Sequence, residues 1–169
     1  MQNPAMDDSL KERATQVLSA VKAANMTIVT AESCTAGAIV SLLAQSEGAG
    51  DVLHGGFITY TKDHKTAALG VSRRLLQEQG AVNADVVKQL ASGALERSPA
   101  TLAIAVSGVL GPERDEDDNP VGLLYFCVLA KESPPNIVRE EFGQEPHDQL
   151  LKKAIHRAFD LIEAAAKYA

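Results

Sequence analysis

Residues 27–37 read TIVTAESCTAG and join a short β-branched run to a helical pattern. The run over 27–31 predicts a strand, and the apolar spacing beyond it predicts a helix from this corner to about Gln45. Ser33 therefore lies at a strand-to-helix corner, where α/β enzymes usually carry their chemistry. Backbone N–H groups at a helix N-terminus can hold an oxyanion or a phosphate. A hydroxyl that merely caps the helix is the alternative, because N-caps are common.

Length and composition indicate a globular chain of ordinary size. The 169 residues are 46% hydrophobic and 22% charged, which is enough for a single domain over residues 1–169 with a hydrophobic core. Residues 1–7 are expected to be flexible. Cys34 and Cys127 lie far apart and outside any CxxC pair, so no disulfide framework is predicted and a reducing cytoplasm fits best.

The charge balance argues against nucleic-acid binding. Lys and Arg total 16 against 22 Asp and Glu, a formal net charge of -6, whereas nucleic-acid binders gain affinity by neutralising phosphates. Aromatic residues are only 4% and Trp is absent, which leaves little surface for stacked bases. The chain has no signal-peptide pattern and no apolar run near the ~18 residues of a membrane span. We expect a small-molecule ligand and no membrane partner, and the apolar helix faces could support a homodimer or a higher homo-oligomer.

Hydrophobic periodicity predicts alternating helices and strands along the rest of the chain. The further predicted helices cover Asp8–Ala23, two short pieces from Asp63 on either side of residues 70–72, Ala84–Glu96, and about 146–167. The further predicted strands cover 55–60, 101–106, 121–130 and 137–142, with loops at 47–50 and 108–120. Ser72 and Asn83 are predicted N-caps. This order indicates a three-layer α/β/α fold around a mixed sheet of about five strands.

Two further predicted strand ends carry chemically useful groups. Tyr60 ends the second strand, and Lys62 and Lys65 follow it. Lys65 lies one helical turn past the strand end, so its amine could return to the cleft, but the sequence leaves open which of the two lysines reaches the serine. A serine nucleophile needs a base, and a desolvated lysine, or a tyrosinate beside a cation, can serve. A solvated surface lysine is the alternative. Ser107, Gly108 and Gly111 form a turn that lets backbone amides approach a ligand, or else an ordinary tight turn.

An acidic stretch over 113–118 follows that turn. It lacks the glycine and the terminal glutamate of an EF-hand loop, so we predict a solvated loop and no metal site.

Three ordered motifs, TAESCTAG at 30–37, GGFITYTKDHK at 55–65, and SGVLGP with a later PVG at 107–122, resemble the CinA carboxy-terminal domain family in its stand-alone form. The resemblance covers nearly the whole chain. It implies a cytoplasmic amidohydrolase that needs no cofactor and converts nicotinamide mononucleotide to nicotinate mononucleotide and ammonia. The implied role is pyridine-nucleotide salvage, and the implied partner is a small-molecule nucleotide substrate.

The resemblance also implies roles for individual residues. Ser33 is similar to the nucleophile, with Tyr60 and Lys65 as the groups that activate it. Substrate contacts are expected from Glu32, Thr35, Gly37, Ser107, Gly108, Gly111 and His147. The chain departs from the family after the second glycine turn, where it carries Arg114 and Asp115, and at His147, which stands near an expected arginine. These departures leave open a second reading, a catalytically silent module that binds a nucleotide or a protein partner.

Overall fold

The structure is a computed structural model, and it describes residues 8–168. The expected flexibility of residues 1–7 lies outside this range. The described strands form one sheet, composed of β1 (Ile28–Glu32), β2 (Leu53–Ile58), β3 (Leu102–Gly108), β4 (Leu123–Ala130) and β5 (Asn136–Glu141). Their spatial order is β2-β1-β3-β4-β5. β1 runs parallel to β2 and β3, whereas β4 is antiparallel to β3 and β5.

Helices cover both faces of this sheet, so the predicted three-layer α/β/α fold is confirmed. The helices are α1 (Asp8–Ala23), α2 (Ala38–Ala44), α3 (Ala49–Val52), α4 (Lys62–Leu69), α5 (Arg73–Gln79), α6 (Ala84–Glu96) and α7 (His147–Lys167). α1, α2 and α7 pack together on one face, and α6 packs on the other face with α4 against it. α1 has its predicted bounds.

The central strand β3 explains the uninterrupted apolar run near residue 101. Leu102 and Ile104 belong to the core beneath α1 and α7, and Ala103 and Ala105 face the core beneath α6. A strand covered on both faces has no solvent side that would favour polar residues. The wider residues point to the two-helix layer, and the alanines let α6 approach the sheet closely.

Two predicted helix caps are confirmed. The Ser72 hydroxyl accepts a hydrogen bond from the N–H of Leu75, and the Asn83 side chain accepts one from the N–H of Val86. Each cap satisfies a backbone donor that the first helical turn leaves without a partner.

The corner after β1 differs from the prediction, because α2 begins at Ala38 and not at Ser33. Ala36 and Gly37 have left-handed φ values of 49° and 91°, which no right-handed helix can include. Residues 33–37 therefore form a turn. A Cβ at Gly37 would lie 2.7 Å from the Ile58 Cδ1 atom, so glycine also allows the turn to pack against β2.

Several other boundaries shift by one or two residues. β2 lies at Leu53–Ile58, earlier than predicted, so Tyr60 lies beyond the strand, and the predicted loop at 47–50 contains the start of the short helix α3. The parallel register with β1 pairs Leu53 with Ile28 and ends at Ile58, because the pairing strand β1 itself ends at Glu32. β3 continues through Gly108, since its antiparallel partner β4 pairs that far.

Candidate active site

A cleft of about 720 Å³ lies at the carboxyl ends of the parallel strands. Ser33 follows β1, Tyr60 follows β2, and Ser107 lies at the end of β3, and all three line the cleft. Parallel strands bring their carboxyl ends to one edge of a sheet, which is why three distant segments meet there. The volume is within the range of small-molecule sites.

Ser33 and Lys65 form a direct pair in this cleft. The Lys65 Nζ donates to the Ser33 Oγ at 2.8 Å. Ser33 is 7% exposed and its N–H donates to the Val106 carbonyl oxygen at 3.1 Å, which anchors it to β3. The Ser33 hydroxyl therefore has a fixed position, a basic group beside it and access to the cleft.

Lys65 is fully buried, and backbone oxygens hold its amine. The Nζ atom also donates to the carbonyl oxygens of Thr59 at 2.7 Å and of Tyr60 at 3.1 Å. Burial lowers the pKa of Lys65 to about 8, because the charged form loses hydration. As an ammonium, Lys65 donates to all three oxygens; as a neutral amine, it keeps its two bonds to the carbonyls and its lone pair can accept the hydrogen of the Ser33 hydroxyl. The lysine is thus arranged to accept a proton from Ser33.

Glu32 precedes the nucleophile candidate and lies away from the cleft. Its side chain is fully buried, and its two carboxylate oxygens accept hydrogen bonds from the hydroxyls of Thr30 and Thr35. Further bonds come from the N–H groups of Gly37, Ile39 and Val40. All five partners donate, as a buried carboxylate requires. Glu32 therefore fixes the turn that presents Ser33, and Thr35, only 3% exposed, helps it to do so.

The same network changes the predicted source of oxyanion donors. The N–H groups of Gly37, Ile39 and Val40, at the start of α2, already bind Glu32, so they are not open to a ligand. Within residues 8–168, the N–H groups of Cys34 and Thr35 donate to no oxygen. Both are in hydrogen-bond contact with the Cys34 sulfur, which is a weak acceptor. These two amides directly follow Ser33. A developing negative charge is a stronger acceptor than a thiol sulfur, so it could recruit these two amides more readily than the helix-start amides, which bind a carboxylate.

Cys34 is a second nucleophilic side chain in the cleft, which the sequence interpretation considered only for disulfides. Burial raises the pKa of its thiol to about 12, since the thiolate would lose hydration. The thiol stays protonated near neutral pH, and a protonated thiol is a weak nucleophile. The electrostatics of the site therefore favour Ser33 as the reacting group.

Tyr60 reaches the serine-lysine pair through its backbone and not through its phenol. Its carbonyl oxygen accepts from Lys65, whereas its side chain is 70% exposed at the cleft wall. No hydrogen bond of the Tyr60 hydroxyl occurs in the described part of the chain. The side chain lines the cleft.

The second glycine turn forms the opposite wall. The hydroxyl of Ser107, 1% exposed, donates to the Ala81 carbonyl at 2.8 Å, so it ties β3 to the segment before α6. A Cβ at Gly108 would lie 2.6 Å from the Leu123 carbonyl oxygen, which explains the glycine. Gly111 lines the cleft with a left-handed φ of 83°. His147, at the start of α7, places its Nδ1 atom 3.2 Å from the Leu110 oxygen and also lines the cleft.

The acidic stretch is exposed, as predicted, but it also lines the cleft beside Ser107. Lys62, the other lysine that the sequence offered as a base, makes a 2.8 Å ion pair with Asp117 across the cleft and does not contact Ser33. Its pairing with Asp117 was not predicted from the sequence. No three His, Cys, Asp or Glu side chains are grouped to hold a metal ion within residues 8–168. No helix in that range is both long and apolar enough to cross a membrane.

The sheet with helices on both faces defines a three-layer α/β protein. The buried Ser33–Lys65 pair lies in a cleft at the carboxyl ends of its parallel strands. Residues 10–166 match the CinA C-terminal domain, and the chain belongs to this family. The nicotinamide-nucleotide amidohydrolase PncC of Escherichia coli K12 is 33% identical over 148 residues, which cover 88% of this chain and 89% of that protein.

Two further relatives extend the comparison. A CinA-like protein of Synechococcus is 35% identical over 94% of this chain, although the match spans 37% of that longer protein. The crystal structure of competence/damage inducible protein CihA from Agrobacterium tumefaciens has a TM-score of 0.88 at 31% identity, and the match covers 94% of this chain and 96% of that one. The resemblance inferred from the three motifs is thereby confirmed.

Proposed function

We propose that this chain is an amidohydrolase that converts nicotinamide mononucleotide to nicotinate mononucleotide and ammonia. The observation that carries the proposal is the 2.8 Å contact between the Ser33 hydroxyl and the buried Lys65 amine. The substrate comes from the similarity to the amidohydrolase of E. coli, which is 33% identical. The reaction would serve pyridine-nucleotide salvage in the cytoplasm.

The first half of the reaction forms an ester on Ser33. Neutral Lys65 accepts the proton of the Ser33 hydroxyl while the oxygen attacks the carboxamide carbon. The resulting ammonium then gives this proton to the departing nitrogen, so that ammonia leaves as the C–N bond breaks. The Thr59 and Tyr60 carbonyls hold the other two N–H groups of Lys65 throughout.

The tetrahedral intermediate needs donors for its negative oxygen. We assign this role to the N–H groups of Cys34 and Thr35, which follow the nucleophile and have no oxygen partner within residues 8–168. Loss of a single such donor typically slows an acyl-transfer enzyme by a factor of about 100 to 1,000. Glu32 supports both amides indirectly, because it fixes the turn that contains them.

The second half of the reaction releases the acid. Lys65 accepts a proton from a water molecule that attacks the ester carbon, and it returns that proton to the Ser33 oxygen as the C–O bond breaks. The products are the carboxylic acid and free serine. The ring of Tyr60 and the turn from Ser107 to Gly111 form the walls around the substrate, with His147 at the rim.

Burial of Lys65 speaks against the silent-module reading. Removing an ammonium from water destabilises the fold unless the charge is compensated, and no carboxylate pairs with Lys65 within residues 8–168. A module that only binds a ligand gains nothing from a buried lysine against a buried serine. A base with a pKa near 8, in contrast, suits proton transfer near neutral pH.

Replacement of the nucleophile tests the proposal directly. Ser33→Ala should reduce ammonia release from nicotinamide mononucleotide by more than about 1,000-fold, with an unchanged circular dichroism spectrum. Ser19→Ala, at an exposed position of α1, is the matched control and should retain wild-type activity. Substantial activity in Ser33→Ala would overturn the serine mechanism, and no ammonia release from the wild type would overturn the amidohydrolase.

A further inference from the structure

The cations that line the cleft are already engaged. Lys65 is held by Ser33 and two carbonyls, as described above. Arg73 pairs with Asp63 at 3.0 Å. The Nη1 atom of Arg114 donates to the Asp118 carbonyl at 2.6 Å. A phosphate group usually binds where such donors are open, and here each basic side chain of the lining has a partner within the described chain.

Lys62 is the cation most strongly engaged by the acidic loop. Its Nζ atom lies 2.9 Å from a Glu116 carboxylate oxygen and 2.8 Å from an Asp117 oxygen. Burial alone would lower the pKa of Lys62, but the hydrogen bonds that its amine donates to Asp117 and Glu116 outweigh burial and raise the pKa. The two carboxylates occupy the positions around Nζ that a phosphate would otherwise take.

The loop is folded so that these carboxylates face α4. Asp115 accepts hydrogen bonds from the N–H groups of Asp117 and Asn119 at 3.0 and 2.8 Å, which closes the loop on itself. The second Asp117 oxygen accepts from the N–H of Ala81 at 3.3 Å. A Cβ at Gly80 would lie 2.5 Å from that oxygen, so this glycine makes room for the carboxylate. The pairing with Lys62 is therefore built into the loop.

We propose that Glu116 and Asp117 are specificity determinants, which hold Lys62 away from a substrate phosphate and so let the cleft accept the phosphate-free nicotinamide nucleoside as readily as the mononucleotide. The inference rests on the proposed carboxamide chemistry and concerns the acidic loop and Lys62, which line the same cleft. A phosphate carries about two negative charges near pH 7. It must displace both carboxylates from Lys62 or lie beside them, and either arrangement costs affinity.

Binding measurements test this inference without turnover. Calorimetry with Ser33→Ala protein should give affinities for nicotinamide nucleoside and mononucleotide within about threefold of each other. In the same background, Glu116→Gln with Asp117→Asn should tighten mononucleotide binding about tenfold. Nucleoside binding should change less than about twofold, because that ligand has no phosphate.

Three further variants keep the test sharp. Glu116→Gln alone leaves the hydrogen bond from the Ala81 N–H to Asp117 in place, and it should shift mononucleotide binding in the same direction by a smaller factor. Lys62→Ala, added to the variant with both loop substitutions, should abolish the tighter binding of the mononucleotide. Glu78→Gln, an exposed carboxylate on α5 outside the cleft lining, is the charge control and should change neither affinity.

The outcomes separate this inference from the amidohydrolase. Mononucleotide binding more than about tenfold tighter than nucleoside binding in Ser33→Ala would overturn it, as would equal changes for both ligands in the loop variant or binding of neither. If the wild type still released ammonia alongside any of these binding results, the specificity inference would fail and the proposed amidohydrolase activity would be supported. The predicted affinities without ammonia release would instead contradict only the catalytic proposal.

Discussion

The two ends of the cleft are held by different kinds of interaction. At the Ser33 end, a fully buried carboxylate and a fully buried amine are each held by short bonds to the backbone and to hydroxyls. At the other end, the acidic loop is held by exposed ion pairs such as the pair of Lys62 with Glu116, whose side chain is 72% exposed. Buried polar groups that lose a partner are costly, whereas exposed ion pairs contribute little to stability.

This contrast separates the two tasks of the site. The Ser33 end cannot change without loss of structure or chemistry, because each group there satisfies several others. The acidic loop can change its charge at little cost to the fold, which suits the role in ligand selection that we propose for it. The contrast predicts large effects from substitutions at the first end and small, ligand-dependent effects at the second.

The largest effect is expected from Lys65→Met. This change keeps the length and bulk of the side chain but removes the proposed base, so kcat/KM for amide hydrolysis should fall by at least about 1,000-fold. The free energy of unfolding, measured with denaturant, should change little, because the gain from removing a desolvated ammonium is offset by the loss of the donor to the Thr59 and Tyr60 carbonyls. A strongly destabilised but partly active variant would mean that Lys65 is structural.

The second largest effect is expected from Glu32→Gln. An amide has only one acceptor oxygen and adds two donors where five donors already converge, so at least one backbone N–H loses its partner. Unfolding should become easier by about 2 to 4 kcal/mol, and kcat should fall about 10- to 100-fold as the Ser33 turn loosens.

Thr35→Val is the matched control for that prediction. It removes a single donor to the Glu32 carboxylate and should cost about 1 kcal/mol in a denaturant titration. A KM increase in Glu32→Gln with unchanged kcat would contradict the positioning role, because it would indicate that Glu32 contacts the substrate.

The sequence was informative about the Ser33 end where the signals were local. The β-branched run before Glu32 predicted a strand, and the helical spacing after Tyr60 placed Lys65 one turn beyond a strand end. The role of Glu32 was not predictable in the same way. Its five bonds depend on the left-handed turn at Ala36, and alanine gives no sign of that conformation.

The acidic loop shows a second limit of prediction from the sequence. Its exposure was predicted from charge alone, because a run of carboxylates favours solvent. Its contact with α4 joins Lys62 and Asp117, which are 55 positions apart, and no periodicity or spacing predicts such a pair. The same applies to the hydrogen bond from Ser107 to Ala81, which closes the opposite wall.

The effect of pH on the reaction rate should be smaller than the effect of Lys65→Met and larger than any effect of the acidic loop on stability. Burial holds the pKa of Lys65 at about 8. The neutral amine is the active form in the proposed mechanism, so kcat/KM should rise with pH and level off above that value. The neutral fraction, and with it the rate, should increase about tenfold between pH 7 and pH 9. A profile measured by ammonia release that falls over this range would exclude Lys65 as the base.

The smallest effect is expected in the stability of the acidic loop. Glu116→Gln removes an exposed ion pair with Lys62, so the free energy of unfolding should change by less than about 0.5 kcal/mol. Salt should weaken the wild-type pair by screening, and the difference between the two proteins should shrink further in a titration from low to high ionic strength. A loss comparable to that of Glu32→Gln would mean that the loop is part of the folded framework. The division between a rigid chemical end and an adjustable selective end would then fail.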